Sequence, residues 1–280
     1  MESLQLLLLQ SGFERTDEPL PEKGWICHAV AGAGKTHLLR TWLKRNHWAR
    51  VHTTQHPDPP DQAGRHITDI IPEEVQQDGL ITVLDEYGQS TWIPGYHAYF
   101  TDPLQAVTVK RAHFTNRYSR RVPKVVTSYL RLLGYDIHSH PELALEGTLT
   151  LKHLYQGLQG YTVTEGGSAH KLVAESGAPH VTYQHSVGKE WQVVTAAFQT
   201  IDKDSSPELR RAFYIAATRT LRALHVRYYI PDTSQGELQS SAFDSSCRVC
   251  HSSGNLVREE ERAATRWGQH PQPALRRHLP

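Results

Sequence analysis

An α/β fold with parallel sheets, built as two successive units and a polar tail, is the architecture these 280 residues predict. Three observations point there. The apolar run at residues 25–30 leads into a glycine-bearing turn, then into Leu38, Leu39, Trp42 and Leu43 at helical spacing, the strand–turn–helix order of an α/β unit. Two further apolar runs, 80–84 and 96–100, are short enough for buried strands and run into acidic residues, Asp85-Glu86 and Asp102. Beyond Pro231 the composition shifts to Ser, Gln, Arg, Glu and Pro with few apolar residues, the signature of a disordered tail.

Taken in order, Leu4, Leu7 and Leu8 share one face of a short N-terminal helix that packs on the core. The Leu6-Leu7-Leu8-Leu9 run is too short to span a bilayer, and no positive segment precedes it as in a secretory signal. Three cysteines are too few for a disulfide framework, so a soluble protein of a reducing, intracellular compartment is expected. A net charge of +1 excludes a globally basic or acidic binding surface, and the 18 histidines are scattered singly. After the first helix, 52–64 reads as a polar loop. A second unit starts near Arg111, with a helix over 125–133 stopped by Gly134, strands at 181–183 and 191–194, a helix over 213–221 and a closing strand at 225–230. The expected divisions are 1–110, 111–230 and 231–280.

The turn Ala29-Val30-Ala31-Gly32-Ala33-Gly34-Lys35-Thr36 carries the chemistry. Gly32, Ala33 and Gly34 let backbone N–H groups curl around phosphate oxygens, and the following helix N-terminus adds its partial positive charge. Lys35 is placed to reach the β- and γ-phosphates, and the Thr36 hydroxyl to bind Mg²⁺. Ala29 stands where such loops usually begin with glycine. About fifty residues on, Asp85 is the expected second Mg²⁺ ligand and Glu86 the residue that orients and deprotonates a water. That acidic pair favours NTP hydrolysis over the phosphoryl transfer of a small-molecule kinase. Gln105, just past the third strand, is placed to sense a γ-phosphate. Arg219, read as helical, has the setting of an arginine finger, although it and Arg222 also fit a solvated helix face. In the tail, Cys247-x-x-Cys250-His251 lacks a fourth ligand at finger spacing, since only His270 and His278 follow; incidental thiols are the expected reading, and the tail arginines, interrupted by Glu259-Glu260-Glu261, offer non-specific affinity for a polyanion.

The order of these elements resembles viral superfamily 1 helicases, and most closely the first proteins of the triple gene block of filamentous plant viruses. The resemblance is carried by residues 28–36, Pro57-Asp58-Pro59-Pro60, Leu84-Asp85-Glu86-Tyr87, 102–105, Ser119-Arg120-Arg121, Gly134-Tyr135-Asp136-Ile137, 185–191 and 214–219, and it covers about 1–230. Two departures stand out: Ser186-Val187-Gly188-Lys189 lacks a glutamine usual in relatives, and Ala216-Ala217-Thr218-Arg219 has alanine where leucine is usual. The resemblance implies two RecA-like lobes with parallel sheets, with Lys35, Thr36, Asp85, Glu86 and Gln105 acting on Mg²⁺-bound ATP or another NTP from the first. Arg121 and Arg219 reach the γ-phosphate from the second. It further implies RNA helicase activity, single-stranded viral RNA as partner, and other movement proteins, coat protein and self-association as contacts. Cell-to-cell transport through plasmodesmata, suppression of RNA silencing and a host-cytoplasmic location follow from the same likeness. The alternative is an RNA-binding silencing suppressor whose nucleotide site is a switch or idle.

Overall fold

The computed structural model describes residues 1–62, 64–75, 77–142 and 145–229. The expected disordered tail and the Cys247, Cys250 and His251 reading lie outside these residues. The α/β expectation holds: two parallel sheets carry the chain, both within one compact unit, Met1–Pro231.

The first sheet is built from β1 (Glu14–Arg15), β2 (Trp25–Ala29), β3 (Ala49–Thr53), β4 (Ile81–Asp85), β5 (Ala98–Thr101) and β6 (Phe114–Asn116) in the order β1-β6-β2-β5-β4-β3. Only β1 runs antiparallel. The central strand β2 is apolar almost throughout because both its faces are covered, as parallel sheets require. Helix α1 (Glu2–Gln10) buries Leu4 and Leu8, and the Trp42 indole of α2 (Lys35–Arg45) donates to its Ser3 hydroxyl at 3.2 Å. Leu38, Leu39, Trp42 and Leu43 are the buried face of α2, and Lys44 and Arg45 in its last turn suit the helix dipole. The short α3 (Pro72–Val75) follows β3.

Residues 52 and 53, expected in a loop, belong to β3, and the loop begins at Thr54. Arg50 and His52 break the apolar run, yet both find partners: His52 bonds Tyr96 Oη at 2.8 Å and Glu74 at 3.0 Å, and Arg50 pairs with Glu74 at 3.3 Å. The first sheet also reaches past residue 110, since β6 pairs with β2.

A two-stranded ribbon, β7 (Tyr118–Ser119) and β8 (His138–Ser139), flanks α4 (Lys124–Leu132). The second sheet contains β9 (Thr148–His153), β10 (Tyr161–Thr164), β11 (His180–Thr182), β12 (Trp191–Gln199) and β13 (Thr220–Tyr229), all parallel, in the order β11-β10-β12-β13-β9. Helices α5 (Gly167–Glu175), α6 (Tyr183–Ser186) and α7 (Pro207–Ala217) complete it. Strands β9 and β10 and helix α5 were not legible in the sequence. Strand β9 is a half-exposed edge whose Thr and Lys positions dilute its apolar pattern, and β10 is only four residues long. Helix α7 starts earlier than expected because Ser206 caps it, its side chain accepting from Leu209 N at 3.2 Å with Pro207 in the first turn. It ends at Ala217, so Arg219 is not helical as expected but lies in the tight turn before β13. Pairing of Thr220 with Trp191 draws the chain into the sheet there.

Candidate functional site

The carboxyl ends of β2, β4 and β5 converge on one cleft, where a parallel sheet presents its loops. The phosphate loop follows β2. Gly32 and Gly34 sit at φ 75° and 95°, and Gly34 begins α2 from the left-handed region that glycine alone enters freely. At Gly32 there is a second reason: a Cβ would stand 2.6 Å from both Arg121 Cβ and Ser119 Oγ. The carbonyl of Gly32 also accepts from Arg120 N at 2.9 Å, so this loop is seated directly on the 119–121 segment. Ala29 closes β2 in ordinary strand conformation, and its carbonyl accepts from Lys35 Nζ at 3.0 Å. The loop therefore starts without a first glycine because position 29 is still strand.

Lys35 is buried, its Nζ 3.7 Å from Glu86 Oε1. Thr36 Oγ1 donates to Asp85 Oδ2 at 3.4 Å. Burial, and next the neighbouring Glu86 carboxylate, push the Asp85 carboxyl up to about 7, against the pull of Lys35. Glu86 is the one described non-glycine residue at positive φ, 57°, and its Oε2 is buried without a hydrogen-bond partner. Such strain, of order 1–3 kcal/mol, persists only where the surroundings enforce it; here Thr54 Oγ1 holds the Glu86 carbonyl at 2.7 Å and Asp85 Oδ1 accepts its N–H at 3.1 Å. Two crowded carboxylates, one with an orphaned oxygen, beside a threonine hydroxyl form the hard-oxygen set that suits Mg²⁺ shared with phosphates. The residues present fit that ion.

Gln105 is buried beside the same cleft and its Nε2 donates to Asp102 Oδ2 at 2.9 Å. From the side of the second sheet come Arg121 and Arg219. Arg121 pairs with Glu190, donates from Nη2 to Thr218 O at 3.2 Å, and leaves Nε buried and unbonded. Arg219 is 4% exposed; its Nε donates to Ile215 O at 3.0 Å and its Nη2 to Thr218 Oγ1 at 3.3 Å. Burial first, and the Arg121 charge second, bring its guanidinium down to about 10. The cleft, about 630 Å³, is lined by Gly32, Gly34, Lys35, Thr36, Asp85, Glu86, Gln105, Arg121 and Arg219, together with His56–Pro59 and Val187–Gly188. That volume lies in the range of small-molecule sites. Asp58 of the Pro57-Asp58-Pro59-Pro60 segment is clamped by Arg40, with Nε to Oδ2 at 2.9 Å.

Gly32, Gly34, Lys35, Thr36, Asp85, Glu86, Gln105, Arg121 and Arg219 thus meet around one cavity, whereas Ala29, still in β2, and Ala33, both buried, do not line it; Asp102, Glu190 and Tyr214 carry no expected role. Tyr214 is fully buried, and its hydroxyl therefore needs a partner, a demand that no sequence pattern signals.

His28, next to the loop on β2, stacks on Tyr87 and bonds its hydroxyl at 2.9 Å. Burial, then the Lys35 charge, lowers its imidazole to about 4. The native state keeps it neutral, whereas the unfolded chain takes up the proton below about pH 6.5. Its contribution to stability is therefore complete above that pH and is lost as pH falls toward 4, by at most about 3 kcal/mol. Urea unfolding between pH 7 and 4 is expected to show this decline, and His28→Gln to flatten it.

The viral superfamily 1 RNA helicase core domain family matches residues 25–228. The movement and silencing protein TGBp1 of Lolium latent virus is 34% identical over 266 residues, covering 89% of this chain and 96% of that protein. The proteins of the same name from Papaya mosaic potexvirus and Potato virus X are each 31% identical, covering 79% and 81% of this chain and 92% and 99% of theirs. Among solved structures, an arterivirus nonstructural protein 10 helicase in complex with DNA superposes with a TM-score of 0.51 at 17% identity, over 76% of this chain and 61% of that one. The PRRSV helicase gives 0.51 at 15% identity, over 80% and 54%. The chain thus spans little more than half of these two helicases, and the likeness to them is one of fold. No helix among the described residues is long and apolar enough to cross a membrane.

Proposed function

We propose a function from one premise: the chain belongs to the viral superfamily 1 RNA helicase family. Its relatives bear the name movement and silencing protein. In our reading this chain, too, is a helicase-like movement protein that hydrolyses ATP or another NTP while bound to single-stranded viral RNA. It supports transport of that RNA between cells and suppresses silencing. The observation that carries the catalytic part is the convergence of Lys35, Glu86, Gln105, Arg121 and Arg219 on the phosphate loop. Other movement proteins, coat protein and further copies of the chain are its proposed contacts, in the host cytoplasm and at plasmodesmata.

Residue by residue, the amides of Gly32, Ala33 and Gly34 bind phosphate oxygens, and Lys35 exchanges the Ala29 carbonyl for the β- and γ-phosphates. Glu86 orients the attacking water and takes its proton. The Gln105 amide turns from Asp102 to the γ-phosphate. Arg121 and Arg219 lie close enough for each other's charge to matter, which favours an anion between them and the loop. Thr36 and Asp85 would hold Mg²⁺, which when bound neutralises charge on the phosphates. The functional division follows the sheets, with residues 1–110 and the added strand β6 as the first lobe and the remainder to 230 as the second.

The Arg121–Glu190 pair favours a second reading, in which the nucleotide site is a switch or idle and RNA binding is the activity. Measuring phosphate release with and without single-stranded RNA decides between them. The hydrolytic reading expects RNA to raise turnover several-fold; RNA that binds without changing the rate establishes the binding module.

A further inference from the structure

One polar chain in the cleft wall extends from Gln105 and Asp102 to a residue with no role so far, Tyr214. The N–H of Ala31, in the phosphate loop, donates to Tyr214 Oη at 3.1 Å. That hydroxyl donates in turn to Asp102 Oδ2, also at 3.1 Å. The same carboxylate oxygen accepts from Gln105 Nε2 at 2.9 Å, while Leu104 N occupies Oδ1 at 3.0 Å. Tyr214 and Asp102 are both 0% exposed, so no water replaces a lost partner without cost. At the backbone end, the Tyr214 carbonyl accepts from Thr218 N at 3.0 Å and from Thr218 Oγ1 at 2.9 Å. Thr218 is the residue to which both arginines are tied, Arg121 through its carbonyl and Arg219 through its hydroxyl. The chain of bonds therefore runs from the phosphate loop of the first sheet, through one tyrosine of α7, to the arginine-bearing turn of the second.

We infer that Tyr214 is a positioning residue whose hydroxyl couples the phosphate loop and Gln105 to the turn that carries Arg219. The inference deepens the hydrolytic reading and rests on it for its effect on turnover. Asp102 Oδ2 has two side-chain donors, one from each side of the cleft. When Gln105 leaves it for a γ-phosphate, that oxygen depends on Tyr214 alone, which tightens the hold between loop and turn. When phosphate departs, Gln105 returns and shares the oxygen again. Nucleotide state is thereby read at α7 without direct contact between Tyr214 and the nucleotide.

Tyr214→Phe keeps the ring and removes only the hydroxyl. At saturating ATP and RNA, kcat is expected to fall about ten- to hundredfold while KM for ATP stays within about twofold, because a displaced Arg219 acts on the transition state and not on ground-state binding. Gln105→Ala combined with Tyr214→Phe is expected to cost far less than the product of the single losses, since both act through Asp102. A second readout does not need turnover. A non-hydrolysable ATP analogue is expected to slow amide exchange across 214–219 in the wild type and to leave it unchanged in Tyr214→Phe that still binds the analogue. Turnover of Tyr214→Phe within twofold of wild type, fully multiplicative losses, or equal protection in both proteins overturns the inference. If wild type hydrolyses no NTP, the hydrolytic reading falls, and the exchange experiment still decides the coupling. Should Tyr214→Phe fail to fold, Asp102→Asn, which replaces the charged acceptor shared by Tyr214 and Gln105 with a neutral amide, carries the same expectations.

Discussion

Lys35→Ala is expected to lower RNA-stimulated ATP hydrolysis by about a hundred- to thousandfold, the usual cost of removing one preorganised electrostatic contact to a reacting group. The structure gives two additive reasons. Lys35 follows the phosphate loop directly and is held ready by the Ala29 carbonyl at 3.0 Å. It also offsets two crowded carboxylates, for Asp85 is already pushed up to about 7 and Lys35 is what pulls it down. Without the ammonium, Asp85 holds its proton to higher pH and is a poorer ligand near neutrality. The variant should therefore need more Mg²⁺ and a higher pH to recover any residual rate. Phosphate release measured over a Mg²⁺ and pH grid tests both parts, and a wild-type rate in Lys35→Ala sinks the site assignment.

Arg219→Ala is expected to reduce kcat by about a thousandfold, the lower range for loss of an arginine finger, with the melting temperature of the nucleotide-free protein unchanged or raised. The second half of this expectation comes from the surroundings of the side chain. Arg219 is buried and has no carboxylate within ion-pair distance among the described residues; its bonds go to a carbonyl and a hydroxyl, and Arg121 repels it. A buried charge so placed costs folding free energy that only an anionic ligand returns. Function and stability should thus move in opposite directions, and thermal unfolding beside steady-state kinetics measures both. A large loss of stability in Arg219→Ala would mark the residue as structural.

Much of the site was legible because its chemistry is local in sequence. Gly32, Gly34, Lys35 and Thr36 lie on one turn, and a strand that ends in Asp85-Glu86 announces its own position at the sheet edge. Helix α2 and strands β2, β4 and β5 followed from dense apolar runs with turn residues at their ends. Strands β3, β9 and β10 were hidden for physical reasons. In β3 the polar Arg50 and His52 are satisfied by Glu74 and Tyr96, partners more than twenty residues away. Strand β9 lies at an edge where only one side must be apolar, and β10 is too short for a pattern.

The sequence by itself determined the phosphate loop, the acidic pair, the α/β class and the family. Each rests on residues adjacent in the chain, whose backbone conformation and side-chain chemistry depend on near neighbours. Only the tertiary structure decided that Arg219 sits in a turn and not on a helix. Only it placed Arg121 against Gly32, left Glu86 strained with an unpaired oxygen, and joined Ala31, Tyr214 and Asp102 into one buried chain. Those features depend on contacts between residues far apart in the chain, more than a hundred positions apart for the Ala31–Tyr214–Asp102 bonds. Burial in a closed cleft is what gives such bonds their energetic weight, and no local pattern in the chain records it.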